Sequence, residues 1–172
     1  MESIKNIDDA KSKVLNDMNT LIVSVRKQTS ENLSSLNHGL AILRNIRSSI
    51  YENLNQIQHE YLILEGLLWI HNKNLVPSDT VWYWNPRQTG ISTEPDLRGI
   101  HEGKIVVSAE ATTSENPQGV IDSRMRNTLA KLNEMEGAKL YFIRSVVMEM
   151  RARTKINRNG WNITVVNLKG DL

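Results

Sequence analysis

Thr93-Glu94-Pro95-Asp96-Leu97-Arg98-Gly99-Ile100-His101-Glu102-Gly103-Lys104-Ile105-Val106-Val107-Ser108-Ala109-Glu110-Ala111-Thr112 is the stretch on which the fold turns. Residues 94–100 and 104–113 flank His101-Glu102-Gly103, which predicts a β-hairpin with a three-residue loop and Gly103 in the left-handed region. In that register Ile100 faces Lys104, and Asp96 lies opposite Ser108 and diagonal to Glu110. Both carboxylates then share a face, roughly 7–8 Å apart at the backbone. Ile105, Val107, Ala109 and Ala111 form the alternate, apolar face, so the acids are expected on the solvent side, away from the helices. Two acidic side chains so placed can converge on one hard cation such as Mg²⁺.

Upstream of the hairpin the chain reads as helix. Leu33, Leu36, Leu40, Leu43, Arg47, Ile50, Leu54, Ile57, Tyr61, Leu64 and Leu68 alternate spacings of three and four, a coiled-coil seam with one polar interruption at Arg47. Ile4, Ile7, Lys11, Val14, Met18, Leu21 and Val25 keep the same rhythm, and Gln28-Thr29-Ser30-Glu31-Asn32 supplies turn chemistry between the two. The pattern predicts an antiparallel helical hairpin over residues 1–74, its second helix running from Glu31 to Asn72, roughly 60 Å long at about 1.5 Å per residue. The first helix, about 36 Å on the same rise, is too short to cover it, so residues 1–74 are expected to act as a dimerisation region, a homodimer sharing the seam, with the C-terminal part of the region packed on the core.

Residues 75–172 read as an α/β core. Thr80 to Trp84 is a strand, broken by a loop from Asn85 to Gly90. After the hairpin, Ile121, Met125, Leu129 and Leu132 predict a helix closed by Gly137, and Lys139 to Ile143 a buried strand. Ser145 caps a further helix ending at Gly160, and Trp161 to Leu168 alternates as a last strand. The predicted class is α+β, in the order α, β, β, β, α, β, α, β.

The net charge of +2 is unevenly spread. Residues 1–75 balance eight basic against eight acidic side chains, whereas residues 124–158 hold nine basic against three acidic ones. Such a local excess suits a phosphate backbone, and Arg124, Arg126, Arg151 and Arg153 are the candidate nucleic-acid-binding residues. The chain has no cysteine, so any metal is expected on oxygen ligands. No Gly-rich phosphate loop and no serine nucleophile elbow occurs. No apolar run is long enough for a bilayer and the N-terminus is polar, so a cytoplasmic protein with no membrane association is expected.

Pro95-Asp96, followed fourteen residues on by Glu110-Ala111-Thr112 at the end of an apolar strand, resembles the PD-(D/E)xK nuclease superfamily. That superfamily includes many type II restriction endonucleases and Holliday-junction resolvases. Its restriction-endonuclease-like αβββαβ core would match residues from about 51 to 143. The resemblance implies Mg²⁺-dependent endonucleolytic hydrolysis of double-stranded DNA, with Asp96 and Glu110 as metal ligands and an acid from the preceding helix, Glu60 or Glu65, completing the set. The family pattern places lysine two residues after the second acid; Thr112 stands there. A base from a neighbouring position would substitute, Lys131 first and Lys104, Arg124 or Arg126 behind it. The alternative is a non-catalytic coiled-coil interaction protein whose degenerate nuclease fold binds DNA.

Overall fold

The computed structural model describes residues 1–86 and 93–168. It is a mixed α+β chain whose elements are β1 (Glu2–Ile4), α1 (Ile7–Thr29), α2 (Leu36–Asn72), β2 (Val81–Trp84), β3 (Leu97–His101), β4 (Lys104–Thr112), α3 (Val120–Asn133), β5 (Ala138–Ile143), α4 (Val146–Asn159) and β6 (Thr164–Asn167). The expected loop from Asn85 to Gly90 lies outside the described residues beyond Pro86.

Among the described residues one six-stranded sheet runs in sequence order. β1 to β4 are antiparallel neighbours, while β4, β5 and β6 are parallel, with α3 and α4 as the two crossovers. β5 explains the three-layer arrangement at residue level. Leu140 and Phe142 point into one apolar cluster with α1 and α2, and Tyr141 and Ile143 into a second with α3 and α4. A strand buried on both faces reads as a continuous apolar run, as Leu140 to Ile143 does.

The long helix has two different halves. From Ile57 onward it is fastened to the sheet through Ile57, Leu62, Ile63, Leu64, Leu67 and Ile70, all buried. Gly66 sets the approach, because a Cβ there would collide with the Phe142 ring. The C-terminal part of α2 thus packs on the core, and the uncovered seam is confined to the first half of the helix. Before Ile57 the helix pairs with α1, and Ile42, Ile46 and Ile50 are half-buried. Leu33, Leu36, Leu40 and Leu43 remain exposed, Leu36 at 88%.

Several local expectations need correction. α2 starts at Leu36, not Glu31, because Ser35 is extended and its side chain caps His38 N. The segment Glu2–Ile4, expected within the first helical series, is an edge strand on β2, so the order opens with β and not α. The hairpin loop is two residues, Glu102 and Gly103, both at positive φ, with His101 paired to Lys104. Positive φ at both turn positions matches the right-handed twist of the flanking strands. A bulge between Gly99 and Ile100 shifts the register further, so Arg98 faces Ser108, where Asp96 had been expected.

Candidate active site

Leu97 pairs with Ala109 at the end of the β3–β4 ladder, and continuing that register by one residue sets Asp96 across from Glu110. The bulge thus turns the expected diagonal into a directly opposed pair, and the two acids still share a face. Contrary to expectation, that face is not open to solvent: Asp96 and Glu110 are each 3% exposed. The crossover through α3 returns over it, which a hairpin considered alone does not reveal.

Local backbone holds Asp96 in place. Its carbonyl accepts the Asn85 amide at 2.8 Å, extending the β2–β3 pairing, and its Oδ2 accepts the Ala111 amide at 2.8 Å. His59 of α2 brings Nε2 to 3.2 Å from the same oxygen. Burial works to lower the His59 pKa, but the hydrogen bond and charge of Asp96, with Glu110 and Glu60 behind it, raise it overall.

Glu110 meets Lys131 of α3, whose Nζ lies 2.5 Å from Oε1 and also donates to the Glu94 carbonyl at 3.3 Å. Burial and then the charge of Asp96 nevertheless push the Glu110 carboxyl up to about 8, against the opposing pull of Lys131 and His59. One ammonium is not enough to make two buried carboxylates comfortable. Thr112, half-buried, accepts a hydrogen bond from the Tyr141 hydroxyl at 2.9 Å. Burial pushes the Tyr141 phenol up to about 12.

Of these groups, His59, Glu110, Thr112 and Tyr141 line a cleft of about 520 Å³ at the carboxyl end of β4, walled by α2 and α3, with Asp96 and Lys131 behind them. Glu52, Asn55, Gln56 and His59 line one side, Arg124, Asn127 and Thr128 the other, with Glu110, Thr112 and Tyr141 on the floor. In parallel and mixed sheets the carboxyl ends of strands are where ligands characteristically bind.

The remaining candidates are distributed as follows. Glu65 is paired with Arg144, which also lies over the Tyr61 ring at 5.2 Å, and it does not line the cleft. Burial raises the Glu65 pKa despite Arg144. Glu60 is buried with Lys13 Nζ at 3.4 Å and Gln56 Nε2 at 3.2 Å. Lys104 sits at the turn, at the far end of β4, roughly 20 Å from Glu110 at about 3.4 Å per residue. Arg124 lines the cleft, whereas Arg126 is exposed beyond it. Arg151 forms a bidentate pair with Asp122 at 2.7 and 3.0 Å, and Lys155 joins it at 2.9 Å. Arg153 pairs with Glu149 at 2.8 Å. Within the basic segment, Arg151 and Lys155 thus tie α3 to α4 and Arg153 pairs within α4.

His59 and Tyr141 were not singled out from sequence. A weak signal for His59 existed: Glu52, Asn55, Gln56 and His59 fall at helical spacing on one face of the second helix. Tyr141 had none, since only the parallel register of β4 and β5 sets it beside Glu110.

Among the described residues no group of three or more His, Cys, Asp and Glu side chains is arranged to hold a metal ion. Asp96 and Glu110 alone still suit Mg²⁺, which keeps several of its waters and commonly takes only one or two carboxylates from the protein. Burial first and the charge of Asp96 second raise the Glu110 pKa, and a cation between the two carboxylates would offset both. Comparison with protein-family models, with curated proteins and with solved structures gives no match. Among the described residues no helix is long and apolar enough to cross a membrane.

Proposed function

We propose that this chain is a Mg²⁺-dependent endonuclease that hydrolyses phosphodiester bonds in double-stranded DNA, with a core of the PD-(D/E)xK, restriction-endonuclease-like kind. The observation that carries the reading is the buried pair Asp96 and Glu110, with Lys131 on Glu110 and His59 on Asp96, of which Glu110 and His59 line a polar cleft. The element order from α2 to β5 is αβββαβ, with an antiparallel-to-parallel switch at β4, and this supports it.

Asp96 and Glu110 hold the cation. When bound, it polarises the phosphoryl group as a Lewis acid. His59 fixes the Asp96 carboxylate from α2, the side from which a helix acid had been expected; Glu65 is engaged by Arg144 instead. Lys131 supplies from α3 the fixed positive charge that the family lysine supplies from the strand, and Arg124 receives a neighbouring phosphate at the rim.

A homodimer belongs to the same proposal. The first half of α2 presents two apolar faces: Ile42, Ile46 and Ile50 are half-buried beside α1, while Leu36, Leu40 and Leu43 are bare. A second copy bringing the same heptad stripe covers it, with Arg47 fixing the register. Thr112 in the lysine position favours one other reading, a coiled-coil interaction protein that binds DNA without cutting it. Incubating supercoiled plasmid with the protein and Mg²⁺ separates the two. Nicking or linearisation that disappears in Asp96→Ala supports the nuclease; binding without cleavage supports the alternative.

A further inference from the structure

Thr112 is the residue at which this chain departs from the pattern it resembles, and it has a dedicated partner. The Tyr141 hydroxyl donates to Thr112 Oγ1 at 2.9 Å. Tyr141 is fully buried in β5, directly paired with Glu110 in the parallel register, and its hydroxyl reaches the cleft floor where Thr112 also lies. A tyrosine that only filled the apolar cluster of α3 and α4 would leave its hydroxyl to any acceptor. Here it is directed across β4 to one side chain.

The direction of that hydrogen bond decides what Thr112 can do. A threonine hydroxyl has one hydrogen to donate and can accept on its lone pairs. At 2.9 Å either hydroxyl can be the donor; in the arrangement with Tyr141 donating, the Thr112 hydrogen is left to point elsewhere, and the cleft is the open direction. Accepting one hydrogen bond also polarises a hydroxyl toward donating a stronger one.

We propose that Tyr141 is a positioning residue that holds Thr112 as a hydrogen-bond donor to a non-bridging oxygen of the scissile phosphate, so that a tyrosine-backed hydroxyl and Lys131 together replace the family lysine. No proton is transferred; the Thr112 hydrogen bond strengthens as charge gathers on the phosphoryl oxygens. The proposal rests on the nuclease reading above.

The test is single-turnover cleavage of a labelled duplex with Mg²⁺ by wild type, Thr112→Val, Thr112→Ser, Tyr141→Phe and the Thr112→Val/Tyr141→Phe double variant. Thr112→Val should lower the cleavage rate about 100-fold, within the range for loss of one preorganised donor, with half-saturating DNA unchanged. Thr112→Ser should recover most of it. Tyr141→Phe should cost about 10-fold, and the double variant should be no slower than Thr112→Val alone, because Tyr141 acts through Thr112. Wild-type rates in Tyr141→Phe, or losses that multiply in the double variant, would overturn the assignment and leave the nuclease reading standing. Wild type that fails to cut overturns both. Should Tyr141→Phe not fold, Thr112→Val against Thr112→Ser still decides, since equal losses in the two contradict a donating hydroxyl.

Discussion

Asp96 Oδ2 takes the backbone amide of Ala111, the residue after Glu110, at 2.8 Å. One acid of the candidate site is therefore fastened to the very strand that carries the other, and Asp96 is held close to Glu110. The site is held under electrostatic load, and its consequences are measurable.

The first is a pH-dependent instability without metal. The Glu110 carboxyl is raised from the ordinary 4.5 to about 8, so between those values the folded protein binds more protons than the unfolded chain. Stability then falls as pH rises through that window and is flat above it. In chelator, Glu110→Gln should melt about 5 °C above wild type at pH 9 and at nearly the same temperature at pH 4.5, as followed by circular dichroism. A smaller slope should persist in the variant, because His59, also raised, loses its stabilising proton as pH climbs. A melting difference that does not change with pH would count against the carboxylate repulsion.

Nucleic-acid affinity should depend on one arginine more than on the rest. Arg124 lines the cleft, while Arg151 and Arg153 are engaged by Asp122 and Glu149. Fluorescence anisotropy with a duplex in Ca²⁺ should show Arg124→Ala weakening binding and reducing the logarithmic salt slope by about one, as expected for one lost phosphate contact. Arg151→Ala should leave the slope alone and lower the melting temperature instead. Equal effects of the two on the slope would restore the basic segment as the binding surface.

Assembly should map to the exposed half of α2. Light scattering at micromolar concentration should give about twice the 19.6 kDa chain mass, and Leu40→Glu/Leu43→Glu should return it to the monomer value without unfolding. Monomeric wild type would mean that the stripe at Leu36, Leu40 and Leu43 is covered by something other than a second copy.

Sequence and structure diverge where long-range geometry takes over from local chemistry. The Ser145 cap, the left-handed Gly160, the buried run Leu140 to Ile143 and the apolar Val107, Ala109 and Ala111 face are all legible, because each is written within a few residues. Glu2-Ser3-Ile4 is too short to carry a period, and only its partner β2 makes it a strand. The hairpin was recognisable, but its loop length was not: Glu102 at positive φ is a cost that the strand twist repays, and propensity alone assigns it to neither loop. Burial of Asp96 and Glu110 was hidden for a different reason. It follows from α3 lying over the sheet, and alternation along a strand says which residues share a face, not what covers them.

The most direct measurement is Mg²⁺-dependent cleavage by Glu110→Gln, which keeps the shape of the buried side chain while removing its charge. With its melting curve in chelator establishing that it is folded, the variant should cut DNA at least 1,000-fold more slowly than wild type while binding the same duplex in Ca²⁺ with affinity within about threefold. Cleavage at the wild-type rate by folded Glu110→Gln would contradict the assignment of Asp96 and Glu110 as the metal-holding pair.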